Sequence, residues 1–167
     1  MANSQQYLLD ANVFIEAARR YYAFDLAPKF WESLEHHSKI GQIGSIDWVK
    51  KELLKGQDDL ADWAKRGCFD SGFASTDEAE VTKIYGEIIT WVSNQEQFSA
   101  AEKAKFARGA DGWLIAYAAA NKLIVVTHEE PVSVNSAKVK IPNVCTAFQV
   151  ECKNTFEMLR AIGVRFD

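Results

Sequence analysis

The sequence predicts an α/β fold built around a largely parallel sheet. Short apolar runs typical of buried strands alternate with longer segments in which apolar residues recur at helical spacing. Strands separated by helices normally pair in parallel through right-handed crossovers. We expect the 167 residues to form one domain, residues 1–167, because neither an internal repeat nor a linker divides them.

The first third of the chain supplies two predicted strands and their helices. The apolar run Tyr7–Leu9 predicts a buried strand, and Asn12 is placed to cap the helix after it. Pro28–His37 predicts a second helix, since proline is favoured in the first turn. Gln42–Ile46 predicts the second strand, and we expect Asp47 to cap the helix that follows.

The middle of the chain is mainly helical. Asp58–Lys65 and Thr76–Asn94 both predict helices, and Cys68–Ala74 between them is ambiguous but could form a short edge strand. Ser99 opens a capping-box signature, which predicts a single helix over Ala100–Asn121.

The last third returns to alternating elements. Leu123–Thr127 is the clearest strand pattern in the chain. Lys138–Val144 predicts another strand, and Thr155–Ile162 predicts a final helix that Gly163 ends.

Composition narrows the class of protein. With 48% hydrophobic and 25% charged residues the chain is typical of a soluble globular protein. No apolar stretch approaches the roughly 20 residues that span a membrane. The start MANSQQYLLD shows no basic n-region and no cleavage site, so we do not expect secretion. The three cysteines, Cys68, Cys145 and Cys152, form no CxxC pair, which favours the reducing cytoplasm. A net charge of −4 argues against broad, nonspecific nucleic-acid binding.

Four carboxylates stand beside apolar segments that are distant in sequence: Asp10, Glu52, Asp111 and Glu129. Asp10 and Glu129 follow predicted strands, and the carboxyl ends of parallel strands border the ligand crevice of such sheets. Four acids that converge would repel one another unless a cation lay between them. Mg²⁺ or Mn²⁺ is the expected ion because both prefer oxygen ligands, and the expected chemistry is phosphodiester hydrolysis.

Each acid also has an ordinary structural interpretation. Asp10 could be a helix cap, and Glu52 an exposed residue of a short helix. Glu129 could be a solvated loop carboxylate, with Glu130 competing for its role. Asp111 is the least ordinary, since aspartate is a mediocre helix former and a charge at the edge of a buried surface needs a partner.

Glycines flank Asp111 on both sides. Gly109 and Gly112 weaken the predicted helix there and would let another backbone or a substrate approach closely.

The order of these motifs resembles the PIN-domain ribonucleases. The chain has LLDAN around Asp10, VKKEL around Glu52, ADGWLIA around Asp111 and VVTHE around Glu129. The best-known members of that family are VapC-type toxins of toxin–antitoxin operons. The opening YLLDANVFIEAARRYYAFDLAPKFW and the ending RAIGVRF are similar to a less-studied PIN-like branch.

The resemblance covers essentially the whole chain and implies a three-layer α/β/α sandwich around a mostly parallel sheet. It further implies catalytic, metal-binding acids and two supporting polar residues: Asp10, Glu52, Asp111 and Glu129, supported by Asn12 and Thr127. The last acid of the family is more often aspartate, so Glu129 leaves the choice between one and two ions open.

Substrate contacts are expected near these acids. Arg108, Lys105 and Arg19 are candidates to bind RNA phosphates, although a solvated helix face explains them equally well. The aromatic segment Tyr21–Trp31 could stack on bases, pack in the core or contact a second copy in a homodimer.

The main prediction is therefore a metal-dependent endoribonuclease of the cytoplasm, the toxin of a toxin–antitoxin pair with a cognate antitoxin. A PIN-like RNA-processing nuclease outside a toxin system and an inactive PIN-like binding module are the alternatives. A haloacid-dehalogenase-type phosphatase needs a second acid two residues after the first, where this chain has Asn12. A phospho-acceptor receiver domain needs an acidic pair near the N-terminus, and we favour it less.

Overall fold

A five-stranded parallel sheet forms the centre of the computed structural model, which describes residues 6–166. The strands are β1 Tyr7–Leu9, β2 Ile43–Ile46, β3 Phe73–Ala74, β4 Ile124–Val126 and β5 Cys152–Lys153. Their order across the sheet is β3-β2-β1-β4-β5, and all four pairings are parallel. The predicted fold class, an α/β fold with a largely parallel sheet, is confirmed.

Helices pack on the sheet and complete the sandwich. They are α1 Ala11–Glu16, α2 Pro28–Lys39, α3 Asp47–Leu54, α4 Asp59–Lys65, α5 Ala79–Ser93, α6 Ala100–Arg108, α7 Asp111–Asn121, α8 Ile141–Ala147 and α9 Thr155–Ala161. A π-helical turn, Ala17–Tyr21, continues α1, and a 3₁₀ turn, Asp70–Gly72, precedes β3. The central strands β1 and β4 are buried along their whole length, as expected for strands covered on both faces.

Most predicted elements lie within one or two residues of their expected places. The four strand predictions Tyr7–Leu9, Gln42–Ile46, Leu123–Thr127 and the edge strand within Cys68–Ala74 correspond to β1, β2, β4 and β3. Parallel registry brings Leu9 opposite Val126, so β1 and β4 end side by side.

The predicted strand Lys138–Val144 is wrong. Its second half begins helix α8, with Pro142 in the first turn. Proline has no N–H to give to a strand ladder, and its fixed φ suits the start of a helix. The edge position next to β4 is taken instead by Cys152–Lys153, a two-residue strand that the sequence did not reveal.

Two predicted helix starts also differ from the structure. Asn12 lies inside α1, because that helix begins at Ala11 directly after Asp10, and no side chain caps it. Asp47 is the first residue of α3 and not its cap. Its carboxylate accepts hydrogen bonds from the backbone N–H of Trp48 and from the Thr76 hydroxyl, so it joins α3 to the segment before α5.

The predicted continuous helix Ala100–Asn121 is wrong as well, because the structure has α6 and α7 with a break between them. Gly109 is extended at this break, and α7 starts anew at Asp111. Among residues 6–166, no helix has both the length and the apolar character needed to cross a membrane.

Candidate active site

Asp10 and Thr127 lie at the carboxyl ends of the two central strands. Asp10 follows β1 directly, and its N–H donates to the carbonyl oxygen of Val126 at the end of β4. This hydrogen bond joins the carboxyl ends of the two strands. The Thr127 hydroxyl donates to Asp10 Oδ2 at 2.9 Å, and both side chains are buried. The structure therefore places Thr127, which the resemblance assigns a supporting role, in direct contact with Asp10.

Glu129 reaches the same place from the loop after β4. Its N–H donates to the Thr127 hydroxyl at 3.1 Å, and its Oε2 accepts the N–H of Ile141 at 2.7 Å. Ile141 is the first residue of α8, where backbone N–H groups lack partners within the helix. Glu129 is half-buried while its competitor Glu130 is exposed, which favours Glu129 as the site residue.

Glu52 and Asp111 meet at the break between α6 and α7. Glu52, on α3, accepts the N–H of Ala110 at 3.1 Å, which satisfies a backbone donor beside the break. This contact places Asp111 at the first turn of α7, where a carboxylate is favoured by the helix dipole. Gly112, next to Asp111, packs under the rings of Tyr85 and Phe106, so it permits protein packing there.

The buried position of Asp10 opposes its ionisation. The pKa of Asp10 is raised from 3.8 to about 7, chiefly by burial and also by the charges of Glu129 and Glu52. The Thr127 hydroxyl and the backbone N–H of Asn12 act in the opposite direction. Asn12 thus assists Asp10 through its backbone.

Asp111 is subject to the same forces. Burial first, and then the negative charges of Asp10, Glu129 and Glu52, raise the pKa of Asp111 well above its usual 3.8. Only Lys105 among the named neighbours lowers it. The four acids predicted from distant segments therefore lie within electrostatic range of one another.

This negative charge is not neutralised by ion pairs. The four ion pairs found in residues 6–166 involve other residues. Within the same residues, no group of three His, Cys, Asp or Glu side chains is arranged as a ready metal site. Two of the four carboxylates, those of Glu52 and Glu129, bond to backbone N–H groups instead. The donor chemistry fits a hard divalent cation, while a closed set of ligands is not assembled.

Three of the four acids line a cleft of about 440 Å³, which we call the acid cleft; Asp10 is buried and is not among its lining residues. Its walls carry Glu52, Asp111, Glu129, Asn12 and four cationic side chains: Lys55, Lys105, Arg108 and Lys140. Lys105 and Arg108 were predicted as RNA contacts, and the structure places both beside the acids. Arg19, the third predicted contact, is exposed on the π-helical turn and lines neither this cleft nor its neighbour.

A second cleft of about 490 Å³ adjoins the first, and we call it the aromatic cleft. It shares Asn12 and Glu129 with the acid cleft and is also lined by Arg20, Tyr21, His128, Asn154 and Phe156. Sequence reasoning missed Lys55, Lys140 and Phe156, because nothing in their local patterns shows which surface they face.

Comparison with known proteins identifies the family. A family model described as a domain of unknown function (DUF4411) matches residues 7–166, nearly the whole chain, so the chain belongs to this family. No curated protein matches the sequence.

Solved structures share the fold. One is the structure of VapBC2 from Rickettsia felis bound to a DNA fragment from the promoter of these proteins. It matches with a TM-score of 0.53 at 18% sequence identity, and the match covers 90% of this chain and 98% of the chain in that structure. FitAcB from Neisseria gonorrhoeae matches with a TM-score of 0.52 at 18% identity, covering 90% and 99%. The PIN-like α/β/α fold expected from the sequence is confirmed.

Proposed function

We propose that this DUF4411 protein is a metal-dependent endoribonuclease that hydrolyses RNA phosphodiester bonds. The observation that carries the proposal is the acid cleft with Asp10 buried behind it, where four carboxylates from distant segments approach one another and none of them forms an ion pair within residues 6–166. Holding such charges together destabilises the fold, and such clusters of carboxylates with raised pKa values are typical of functional sites.

The cationic wall of the cleft suits a phosphodiester substrate. Lys105 lies close enough to Asp111 to influence its pKa, and Arg108 follows one turn later on α6. Such side chains would bind phosphate oxygens and position the scissile bond beside the acids. The Thr127 hydroxyl donates to the Asp10 carboxylate and so restricts its orientation behind the cleft wall.

A divalent cation would complete the site. Asp10 and Asp111 would hold Mg²⁺ or Mn²⁺, while Glu52 and Glu129 add negative charge from positions fixed by backbone N–H groups. The bound ion would supply the Lewis acidity that activates water and offsets charge on the phosphate. Its binding would also reverse the raised pKa values, since both aspartates must ionise to bind it.

We further propose that the enzyme is a cytoplasmic toxin with a cognate antitoxin. VapC-type toxins are the best-known members of the resembled family, and VapBC2 is among the structures that share this fold. An RNA-processing nuclease outside a toxin system is the alternative. A small DNA-binding protein encoded beside this chain would favour the toxin, and its absence would favour the alternative.

The decisive experiment is cleavage of total RNA by purified protein with Mn²⁺, Mg²⁺ or EDTA, followed by sequencing of the new RNA ends. We expect cleavage at defined sites with either metal and none with EDTA. Asp10→Asn is the control, because it removes the charge and keeps the shape. Equal cleavage by wild type and Asp10→Asn would reveal a contaminating nuclease, and intact RNA in every lane would favour the inactive binding module.

A further inference from the structure

The aromatic cleft holds a tyrosine ring that the core does not need. Tyr21 ends the π-helical turn after α1, and 51% of its surface is exposed. Its neighbours in the aromatic segment are used differently. Tyr22 stacks on Phe30 at 4.3 Å, and Phe24 stacks on Trp31 at 4.0 Å, so both serve packing. Tyr21 is the member of this segment left facing the cleft.

Two other rings hold Tyr21 in place. His128 lies nearly parallel to it, with ring centroids 5.8 Å apart and planes at 29°, and Phe156 meets its edge at 5.9 Å and 84°. His128 is itself fixed by a 3.0 Å hydrogen bond between its Nε2 and the Thr155 hydroxyl. The cleft therefore presents a preorganised aromatic platform, with Phe156 also 38% exposed.

Polar groups surround this platform. Arg20 lies on the same wall, paired with Glu16 at 3.2 Å, and the side chain of Asn12 is exposed beside it. An apolar core residue or a lipid chain would find these groups unfavourable. A nucleobase suits the site better, since its faces stack on rings while its edges form hydrogen bonds.

The platform is continuous with the acid cleft. Asn12 and Glu129 line both clefts, so a group on the platform lies next to Glu129 and to the acid cleft. Because the two clefts share this wall, a bound RNA strand could place a base in one and a neighbouring phosphate in the other.

We propose that the aromatic cleft binds an unpaired base of the RNA substrate, on the nucleotide adjoining the scissile phosphate, by stacking on Tyr21. The inference rests on the proposed function and deepens it by assigning to Tyr21 the stacking contact with one base of the substrate. Duplex RNA would not fit, because a paired base cannot leave its helix to reach the platform without losing its pairing and stacking.

The test compares wild type with Tyr21→Ala, Tyr21→Phe and Phe166→Ala on a mixed-sequence single-stranded RNA oligonucleotide whose cleavage sites have been mapped. Phe166 is the matched control, since its ring is 45% exposed but contacts Tyr22 and Phe30 outside the cleft. We expect kcat/KM to fall about 10- to 100-fold for Tyr21→Ala, the range of one lost base–aromatic stack, and to stay within about twofold for the other two variants.

A second arm replaces one nucleotide at a time by an abasic residue. For wild type, kcat/KM should fall when the abasic residue is at a position adjoining the cleaved bond. For Tyr21→Ala, the same abasic residue should cause no further fall in kcat/KM, because the abasic residue and the substitution remove the same stacking contact. A purely structural role for Tyr21 would instead lower activity equally on every oligonucleotide.

The two proposals fail in different ways. Absence of cleavage by wild type would overturn the nuclease and the base site together. Full activity of Tyr21→Ala on an RNA that wild type cleaves would overturn the base site alone. Equal cleavage of duplex and single strand would also overturn it.

Discussion

The two aspartates and the two glutamates of the acid cleft serve different purposes. Glu52 and Glu129 each accept a backbone N–H at the start of a helix, from Ala110 before α7 and from Ile141 in α8. Asp10 and Asp111 instead have carboxylates whose ionisation is opposed by burial and by their neighbours' charges.

The difference of one methylene explains this division. A glutamate is long enough to reach a helix start on another element, so it fixes the architecture as well as adding charge. An aspartate at the end of a strand or the start of a helix stays where the backbone puts it, so its carboxyl group remains close to the other acids. We infer that the aspartates carry the chemistry and the glutamates shape the site around them.

The largest expected effect is on cleavage by Asp111→Asn. Loss of one aspartate charge should lower kcat/KM about 1000-fold, since a bound cation supplies several kcal/mol of transition-state stabilisation. Single-turnover cleavage of a mapped RNA measures it. A reduction below about tenfold would contradict a catalytic role for Asp111, provided that the variant keeps the wild-type melting temperature.

The next effect concerns stability and pH without divalent ions. The pKa of Asp10 is about 7 in the folded protein, against 3.8 ordinarily. The free energy of unfolding is therefore highest below about pH 4 and decreases as the pH rises to 7, because the folded state then binds this proton more tightly than the unfolded state does. The cost is about 4 kcal/mol at pH 8, from roughly 1.4 kcal/mol for each pKa unit. Asp10→Asn should therefore melt higher than wild type at pH 8.

The same comparison at pH 4.5 provides the control for that prediction. Most of the advantage of Asp10→Asn should vanish there, because the wild-type carboxyl is then protonated. An advantage independent of pH would show that the amide stabilises the fold by packing and that burial does not oppose ionisation.

Metal binding should stabilise the wild type by a somewhat smaller amount. At 100 times its dissociation constant, Mn²⁺ would add about 2.7 kcal/mol, which calorimetry would detect as a rise of several degrees in Tm. The double variant Asp10→Asn/Asp111→Asn should show none. An equal rise in both proteins would place the ion elsewhere and remove the aspartates as ligands.

The smallest expected effect distinguishes the glutamates. Glu52→Gln and Glu129→Gln keep a carbonyl oxygen for the backbone N–H, so cleavage should fall only about 10- to 100-fold while Tm changes little. The alanine variants leave that N–H unpaired and should cost about 1–3 kcal/mol of stability. If Glu52→Gln and Glu129→Gln were as inactive as Asp111→Asn, the proposed difference in role between the two glutamates and the two aspartates would be wrong.

Sequence reasoning succeeded where the signal is local. β1 and β4 are uninterrupted apolar runs, and the carboxylates at their ends were located from that position alone. It failed at Lys138–Val144, where an apolar pattern was compatible with strand or helix and Pro142 decided for a helix start. It also failed at Gly109, because the break in the predicted helix depends on a contact with Glu52, which is 58 residues away from Ala110.

The sequence by itself determined the parallel α/β architecture and singled out four acids beside its apolar segments, because apolar periodicity and strand ends can be recognised from neighbouring residues. Only the tertiary structure decided which carboxylates accept hydrogen bonds from helix starts and which do not. It also decided that Tyr21 and not Tyr22 lines the aromatic cleft. Those outcomes depend on burial and on hydrogen-bond partners from distant segments, and both exist only once the chain has folded.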